Sequence, residues 1–243
     1  MADAIFEDPR LAAMYDALDP DRSDLEVYAA IADDLGATRV LDVGCGTGTF
    51  ALLLAERGLD VIGVDPAGES LAVALAKPGA EHVRWIHGDA TALPPLAADL
   101  ATMTGNVAQA IADESDWDET LIGVYEALRP GGHLVFETRD PAVEAWREWN
   151  RVDSHSVDEI DGVGAVENWA ELTDVSLPLV TFRWTFVLPD GEVLTSDSTL
   201  RFRERDEVES SLVAHGYVVE EVRGAPDRPG REFVFFARRL QIG

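Results

Sequence analysis

The chain has 243 residues, 47% of them hydrophobic and 27% charged, which is enough apolar material for a sizeable core and argues against wholesale disorder. Forty-six Asp and Glu against nineteen Lys and Arg give a net charge of −27, a field that repels phosphate backbones and anionic bilayers. The single cysteine, Cys45, excludes an intrachain disulfide and any cysteine-based metal cluster.

Lys77 is the one lysine, a bias that fits either adaptation to high salt or a codon preference. The opening MADAIFEDPR shows no basic stretch followed by an apolar one, and no run approaches the roughly eighteen apolar residues of a membrane span. A soluble cytoplasmic protein is expected. Residues 1–35 read as a helical cap, with Leu11, Met14, Tyr15 and Leu18, then Leu25, Tyr28 and Ile31, at three- and four-residue steps broken by Asp19-Pro20-Asp21.

From Arg39 the pattern changes to short apolar runs alternating with helical ones. Val40–Val43, Val61–Val64, Val83–Ile86, Leu100–Met103 and His133–Phe136 read as strands, and Phe50–Arg57, Ser70–Ala76 and Glu119–Leu128 as helices. Such alternation implies crossover connections and a parallel sheet covered on both faces, here over 36–140. Residues 141–202 read as an inserted antiparallel lid: Phe182, Trp184, Phe186 and Leu188 alternate with polar residues, Pro189-Asp190-Gly191 turns, and Val193–Phe202 alternates again, a hairpin with one apolar face. Residues 203–243 return to the core with a helix, Asp206–His215, and strands at Tyr217–Val222 and Glu232–Ala237. The Pro/Gly-rich link between these strands is too short for a crossover helix, so they pair antiparallel. The expected fold is a doubly wound α/β, mostly parallel seven-stranded sheet with a reversed last strand.

The central motif is Asp42-Val43-Gly44-Cys45-Gly46-Thr47-Gly48, directly after a strand and before a helix. Glycine there admits positive φ and lets a ligand approach backbone amides at a helix start. The dinucleotide fingerprint puts its third glycine five residues after its first, whereas Gly48 follows Gly44 by four. Asp42 adds a carboxylate that suits an amine and a sulfonium better than a pyrophosphate. Asp65, followed by Pro66, ends the second strand where ribose hydroxyls arrive in this topology. Asp89-Ala90 follow the third strand, Thr104-Gly105-Asn106 the fourth, and Pro130-Gly131-Gly132 precede the fifth.

These five motifs in this order resemble the class I S-adenosylmethionine-dependent methyltransferases. The resemblance implies that Gly44, Gly46 and Gly48, with Cys45 and Thr47 between them, line the methionine end of the cofactor. Asp65 beside Pro66 would hold the ribose, and Asp89 and Ala90 would meet the adenine. Thr104, Gly105 and Asn106 would lie near the sulfonium, and Tyr15 on the N-terminal cap would cover it. Thr104-Gly105-Asn106 together with Thr138-Arg139-Asp140 is locally similar to glycine and sarcosine N-methyltransferases. The expected reaction is in-line methyl transfer to nitrogen or oxygen of a small molecule, with S-adenosylhomocysteine as product. Asn106 would orient the acceptor, Arg139 would pair with a substrate carboxylate, and Asp140 and His155 are candidate bases. Nucleic-acid amino-methylating enzymes carry an Asn- or Asp-Pro-Pro-aromatic motif where this chain has Thr104-Gly105-Asn106-Val107, so a nucleic-acid substrate is not expected, nor a membrane or metal.

Plainer roles stand beside these. Asp65 and Asn106 could cap the helices that follow them, Asp89 could be a loop carboxylate, Arg139 a surface residue and Trp184 core. Cys45 reads as a small residue in a crowded turn. Two rival functions remain open: a non-catalytic S-adenosylmethionine-binding or regulatory protein, and a nicotinamide-dependent oxidoreductase.

Overall fold

The computed structural model describes residues 2–240; Met1 and residues 241–243, the outer ends of the segments expected at 1–35 and 203–243, lie outside the described residues. The chain opens with α1 (Ala4–Glu7), α2 (Pro9–Leu18) and α3 (Asp24–Asp34). Helix α2 starts where it does because Asp8 accepts the N–H groups of Arg10 and Leu11 while Pro9 occupies the first turn. Then follow β1 (Arg39–Val43), α4 (Thr49–Glu56), β2 (Asp60–Asp65), α5 (Gly68–Ala76), β3 (Val83–His87), β4 (Ala98–Met103), α6 (Val107–Ala110), α7 (Glu114–Ala127) and β5 (Leu128–Arg139). Asp113 caps α7 through Ser115 and Asp116, with two acids in its positive first turn. The Pro130-Gly131-Gly132 turn is a bulge within β5, where Ala98 faces Leu128 but Leu100 faces His133.

Strand pairing gives one seven-stranded sheet ordered β3-β2-β1-β4-β5, extended by β11 (Glu232–Arg239) and then β10 (Tyr217–Gly224). The first five are parallel, and β11 runs antiparallel to both β5 and β10. Buried apolar side chains fill both faces. Against one face pack α7 and α9 (Arg205–Ala214), placing Trp117, Leu121 and Leu212 over Phe136 and Phe235. Against the other pack α3 and α4, with Tyr28, Phe50 and Leu54 over Val40, Val61 and Val135. Phe136 and Phe235 stack at 5.2 Å and lock the reversed strand to the parallel ones.

The insertion departs from expectation. Instead of a lone hairpin it is a four-stranded antiparallel meander of β6 (Ser156–Ile160), β7 (Gly164–Ser176), β8 (Leu179–Val187) and β9 (Val193–Arg201), entered through α8 (Arg151–Ser154). A two-stranded ribbon with one apolar face is marginal alone; here Ile160, Val166, Phe186 and Leu194 bury against Leu11 and Met14 of α2. The insertion and the N-terminal helices therefore share one small core above the sheet's carboxyl edge. Among the described residues no helix is long and apolar enough to cross a membrane.

Candidate cofactor and active site

The turns after β1, β2 and β4 open at the carboxyl edge of the sheet, where the strand order reverses and doubly wound folds bind ligands. They wall a cleft of about 480 Å³, which Phe6, Tyr15 and Arg22 close from the N-terminal segment. Strand β1 delivers Asp42 to the cleft floor. This carboxylate is buried; Oδ1 accepts the Thr102 hydroxyl at 3.2 Å and Oδ2 has no partner among the described residues. Burial pushes it up to about 7, a shift the neighbouring Asp65 reinforces and the Thr102 bond opposes.

The turn after β1 is held from β2. Gly44 and Cys45 donate their N–H groups to the Val64 carbonyl at 2.8 and 3.1 Å, and Gly46 donates to Asp65 Oδ2 at 2.8 Å. Asp65 Oδ1 accepts the Ala67 N–H at 2.8 Å, so the carboxylate both ties the two turns and faces the cleft. Burial raises Asp65 while these two backbone bonds oppose the shift. The three glycines differ in role. At Gly46 φ is +53° and a Cβ would meet no atom within 4 Å, so that space belongs to the cleft. At Gly48 φ is +80° and a Cβ would come within 2.5 Å of Trp85 and 2.9 Å of Ala74. Gly48 thus serves helix–sheet packing and does not line the cleft.

Thr47 donates its hydroxyl to Asp16 of α2 at 2.6 Å, and Asp16 pairs with Lys77 at 2.5 Å. The single lysine thereby helps latch the N-terminal cap to the glycine turn. Cys45 is buried beside Gly63, and burial pushes its thiol up, which keeps it protonated. Pro66, Asp89 and Ala90 line the cleft; Asp89 accepts the Thr91 N–H and hydroxyl at 2.9 and 2.5 Å, so it is a cap as well as a wall. Helix α7 seats that turn directly, because a Cβ on Gly123 would lie 1.8 Å from the Ala90 carbonyl oxygen.

Thr104 and Gly105 line the cleft beyond β4, with Tyr15 opposite on α2. Asn106 stands behind them. It is buried with φ of +62°, makes no side-chain cap to α6, gives its N–H to Glu137 and leaves Oδ1 without a partner among the described residues. Arg139 also lies outside the cleft lining: Nη1 donates to Gln109 at 3.1 Å, Glu232 lies 3.9 Å away, and the guanidinium sits 5.6 Å from the Trp149 ring centre. Asp140 accepts the Ala142 N–H in a tight turn, and the exposed His155 pairs with Glu167 at 3.0 Å. Neither reaches the cleft. Trp184 packs against the cap core. The sequence reading missed Arg22, the one basic side chain among the described lining residues. Its signal was a lone arginine in an acidic break, between Asp21 and Asp24.

Residues 40–132 match a family described as the methyltransferase domain. A putative methyltransferase of Geobacillus sp. (strain WCH70) is 37% identical over 105 residues, 42% of each chain, so the match spans under half of that relative. An uncharacterized methyltransferase of Mycobacterium bovis is 29% identical over 197 residues, 74% of this chain and 75% of the other. Among solved structures, the S-adenosylmethionine-bound CalS10 of Micromonospora echinaspora, an amino pentose methyltransferase involved in calicheamicin biosynthesis, superposes with a TM-score of 0.68 at 20% identity, covering 94% of this chain and 95% of its own. Residues 40–132 thus match the methyltransferase domain, and the chain shares the fold of solved S-adenosylmethionine-dependent methyltransferases.

Proposed function

We propose that the protein binds S-adenosylmethionine in this cleft and transfers its methyl group to a nitrogen or oxygen of a small molecule. The observation that carries the reading is the pairing of the unpartnered Asp42 oxygen with the empty volume at Gly46: a buried acceptor and a gap in the backbone, side by side on the cleft wall. An amino-acid ammonium satisfies the first and its chain fills the second. Arg22 lines the cleft and, with its Nε on Asp24 at 3.3 Å, keeps its other guanidinium N–H groups to meet the carboxylate of the same amino acid. Asp65 keeps lone pairs for ribose hydroxyls while its backbone bonds hold it still, and Asp89 with Ala90 borders the adenine.

Bound S-adenosylmethionine supplies an activated methyl on sulfur. What this chain then contributes is placement and exclusion of water, which in favourable cases supplies roughly 7–11 kcal/mol of barrier reduction. Tyr15 covers the cleft from α2 and burial keeps its phenol neutral, so it offers a donor and an apolar ring without a charge. Thr104 and Gly105 border the acceptor's approach, and Asn106 supports them from behind. Because Asp140 and His155 lie outside the lining, proton removal is assigned to neither. Arg139, already engaged by Gln109 and Glu232, belongs to the wall behind the site and not to a substrate carboxylate.

The test is calorimetric titration with S-adenosylhomocysteine, followed by measuring its release from S-adenosylmethionine across a panel of small amines, phenols and hydroxy acids. Binding together with acceptor-dependent release is expected. Absence of binding would sink the reading. Tight binding with no turnover across a broad panel would favour the regulatory alternative.

A further inference from the structure

Two consecutive residues after β4, Gly105 and Asn106, have positive φ of +72° and +62°. Asparagine tolerates the left-handed region better than most residues, but it still needs its surroundings to hold it there. Gly105 faces the cleft, and the Asn106 carbonyl accepts the Gln109 N–H at 2.9 Å as α6 begins. On the side away from the cleft lies Glu137 of β5, buried to 3% exposure, whose Oε1 accepts the Asn106 N–H at 2.8 Å. The Asn106 side chain is held in turn by Glu232 of β11, through Nδ2 at 3.3 Å, and Arg228 neutralises Glu232 at 2.9 Å. Glu137 Oε2 has no hydrogen-bond partner among the described residues. No requirement of the sheet calls for a carboxylate here, since the neighbouring strand positions on β5 and β11 are mostly apolar.

We infer that Glu137, which lines no part of the cleft, is a positioning residue: by accepting the Asn106 N–H it fixes the left-handed Thr104–Asn106 turn that walls the methyl-transfer end of the site. The function of that wall rests on the methyltransferase reading above; the contact itself does not. A charged acceptor grips an N–H more strongly than a neutral one, so the hold strengthens when Glu137 ionises. Burial pushes it up to about 7. The groups facing it are the Tyr28 phenol from α3, Asp42 from β1, Glu232 from β11 and Arg139 farther along β5. The two carboxylates raise Glu137, and the phenol and arginine favour its anion.

The chain has only three asparagines, Asn106, Asn150 and Asn168, so selective ¹⁵N-asparagine labelling yields three backbone amide signals. Their shifts are followed from pH 5.5 to 8.5 in the wild type, Glu137→Gln and Asp42→Asn. Calorimetry with S-adenosylhomocysteine at pH 8 then compares the wild type with Glu137→Gln and Glu137→Ala. The Asn106 amide is expected to titrate with a midpoint near 7 in the wild type, to persist in Asp42→Asn, and to stop titrating in Glu137→Gln. Glutamine keeps an acceptor oxygen and should bind within about threefold of wild type, whereas alanine should lose at least about tenfold. An Asn106 amide that ignores pH, or that titrates unchanged in Glu137→Gln, overturns the inference; so does full affinity in a folded Glu137→Ala. If Glu137→Ala does not fold, the amide titration and the glutamine variant decide. A wild type that binds no S-adenosylhomocysteine would instead refute the methyltransferase reading, with the titration still deciding the Glu137 contact.

Discussion

Asp42 is a carboxylate that folding makes reluctant to ionise. Desolvation raises it to about 7, and one of its oxygens waits for a donor. The sign follows directly: the folded apo protein holds this proton at pH values where the unfolded chain has released it, so Asp42 costs stability progressively as pH climbs from about 4 to 7. A ligand ammonium reverses the preference by pairing with the anion. S-adenosylmethionine should therefore bind about five- to tenfold more tightly at pH 7.5 than at pH 6, releasing close to one proton at the lower pH. Titrations in two buffers of different ionisation enthalpy measure that proton directly. Asp42→Asn should flatten the dependence; an unchanged slope in that variant would take Asp42 away from the ligand. Asp65 makes the contrasting case. Its two oxygens already accept Gly46 and Ala67, so Asp65→Ala should lose about 1–3 kcal/mol of cofactor affinity and also loosen the turn that Gly46 belongs to.

At the scale of elements, the turn between β1 and α4 divides two tasks among glycines that look alike in sequence. Gly46 leaves a space and Gly48 fills none, because Trp85 and Ala74 close on it. Gly46→Val should thus abolish S-adenosylhomocysteine binding while costing only the strain of a left-handed side chain, on the order of 1–2 kcal/mol. Gly48→Ala should do the reverse, adding an overpacking cost of about 1–3 kcal/mol to the same left-handed strain, with affinity retained in the folded fraction. Thermal unfolding and calorimetry on the same two variants distinguish these outcomes, and a Gly48→Ala protein that is stable but blind to the ligand would refute the division. Sequence could not make it, since the partner of Gly48 sits on β3, thirty-seven positions away, and only the β2–β3 pairing brings Trp85 back. The strand and helix runs themselves were legible, because buried parallel strands such as β1 and β2 are continuous apolar runs. Strands β6 and β7 were not: Ser156–Ile160 carries two acids, and Gly164–Ser176 mixes Glu167, Glu171 and Asp174 with only a few buried positions. Strands with so few buried positions give period-two analysis little to count. The same blindness hid Arg22 and Glu137. Their places depend on which loop crosses the sheet's edge and which strand lies behind it, and neither fact is local.

For the whole molecule the decisive number is the charge of −27. The fold keeps it bearable by distributing arginines: Arg39 with Asp60, Arg129 with Asp99, Arg183 with Asp197 and Arg205 with Glu209 all pair at the surface. Such exposed pairs are worth about 0–1 kcal/mol each. They cannot offset the repulsion among the unpaired acids that outnumber them, which acts against the compact state. Added salt screens both effects, with a Debye length falling from about 10 Å at 0.1 M to about 3 Å at 1 M. Because repulsion is the larger and longer-ranged sum here, screening should stabilise. Raising potassium chloride from 0.1 to 1 M should lift the unfolding temperature by several degrees, about 2–4 °C for each kcal/mol in a chain of this size. The Asp16–Lys77 pair supplies an internal contrast, because salt should weaken that latch while the body of the protein gains. A Lys77→Met variant, which has no latch charge for salt to screen, should rise in unfolding temperature slightly more than the wild type. An unfolding temperature that falls with salt in the wild type would mean that the surface ion pairs, not the excess acid, govern stability.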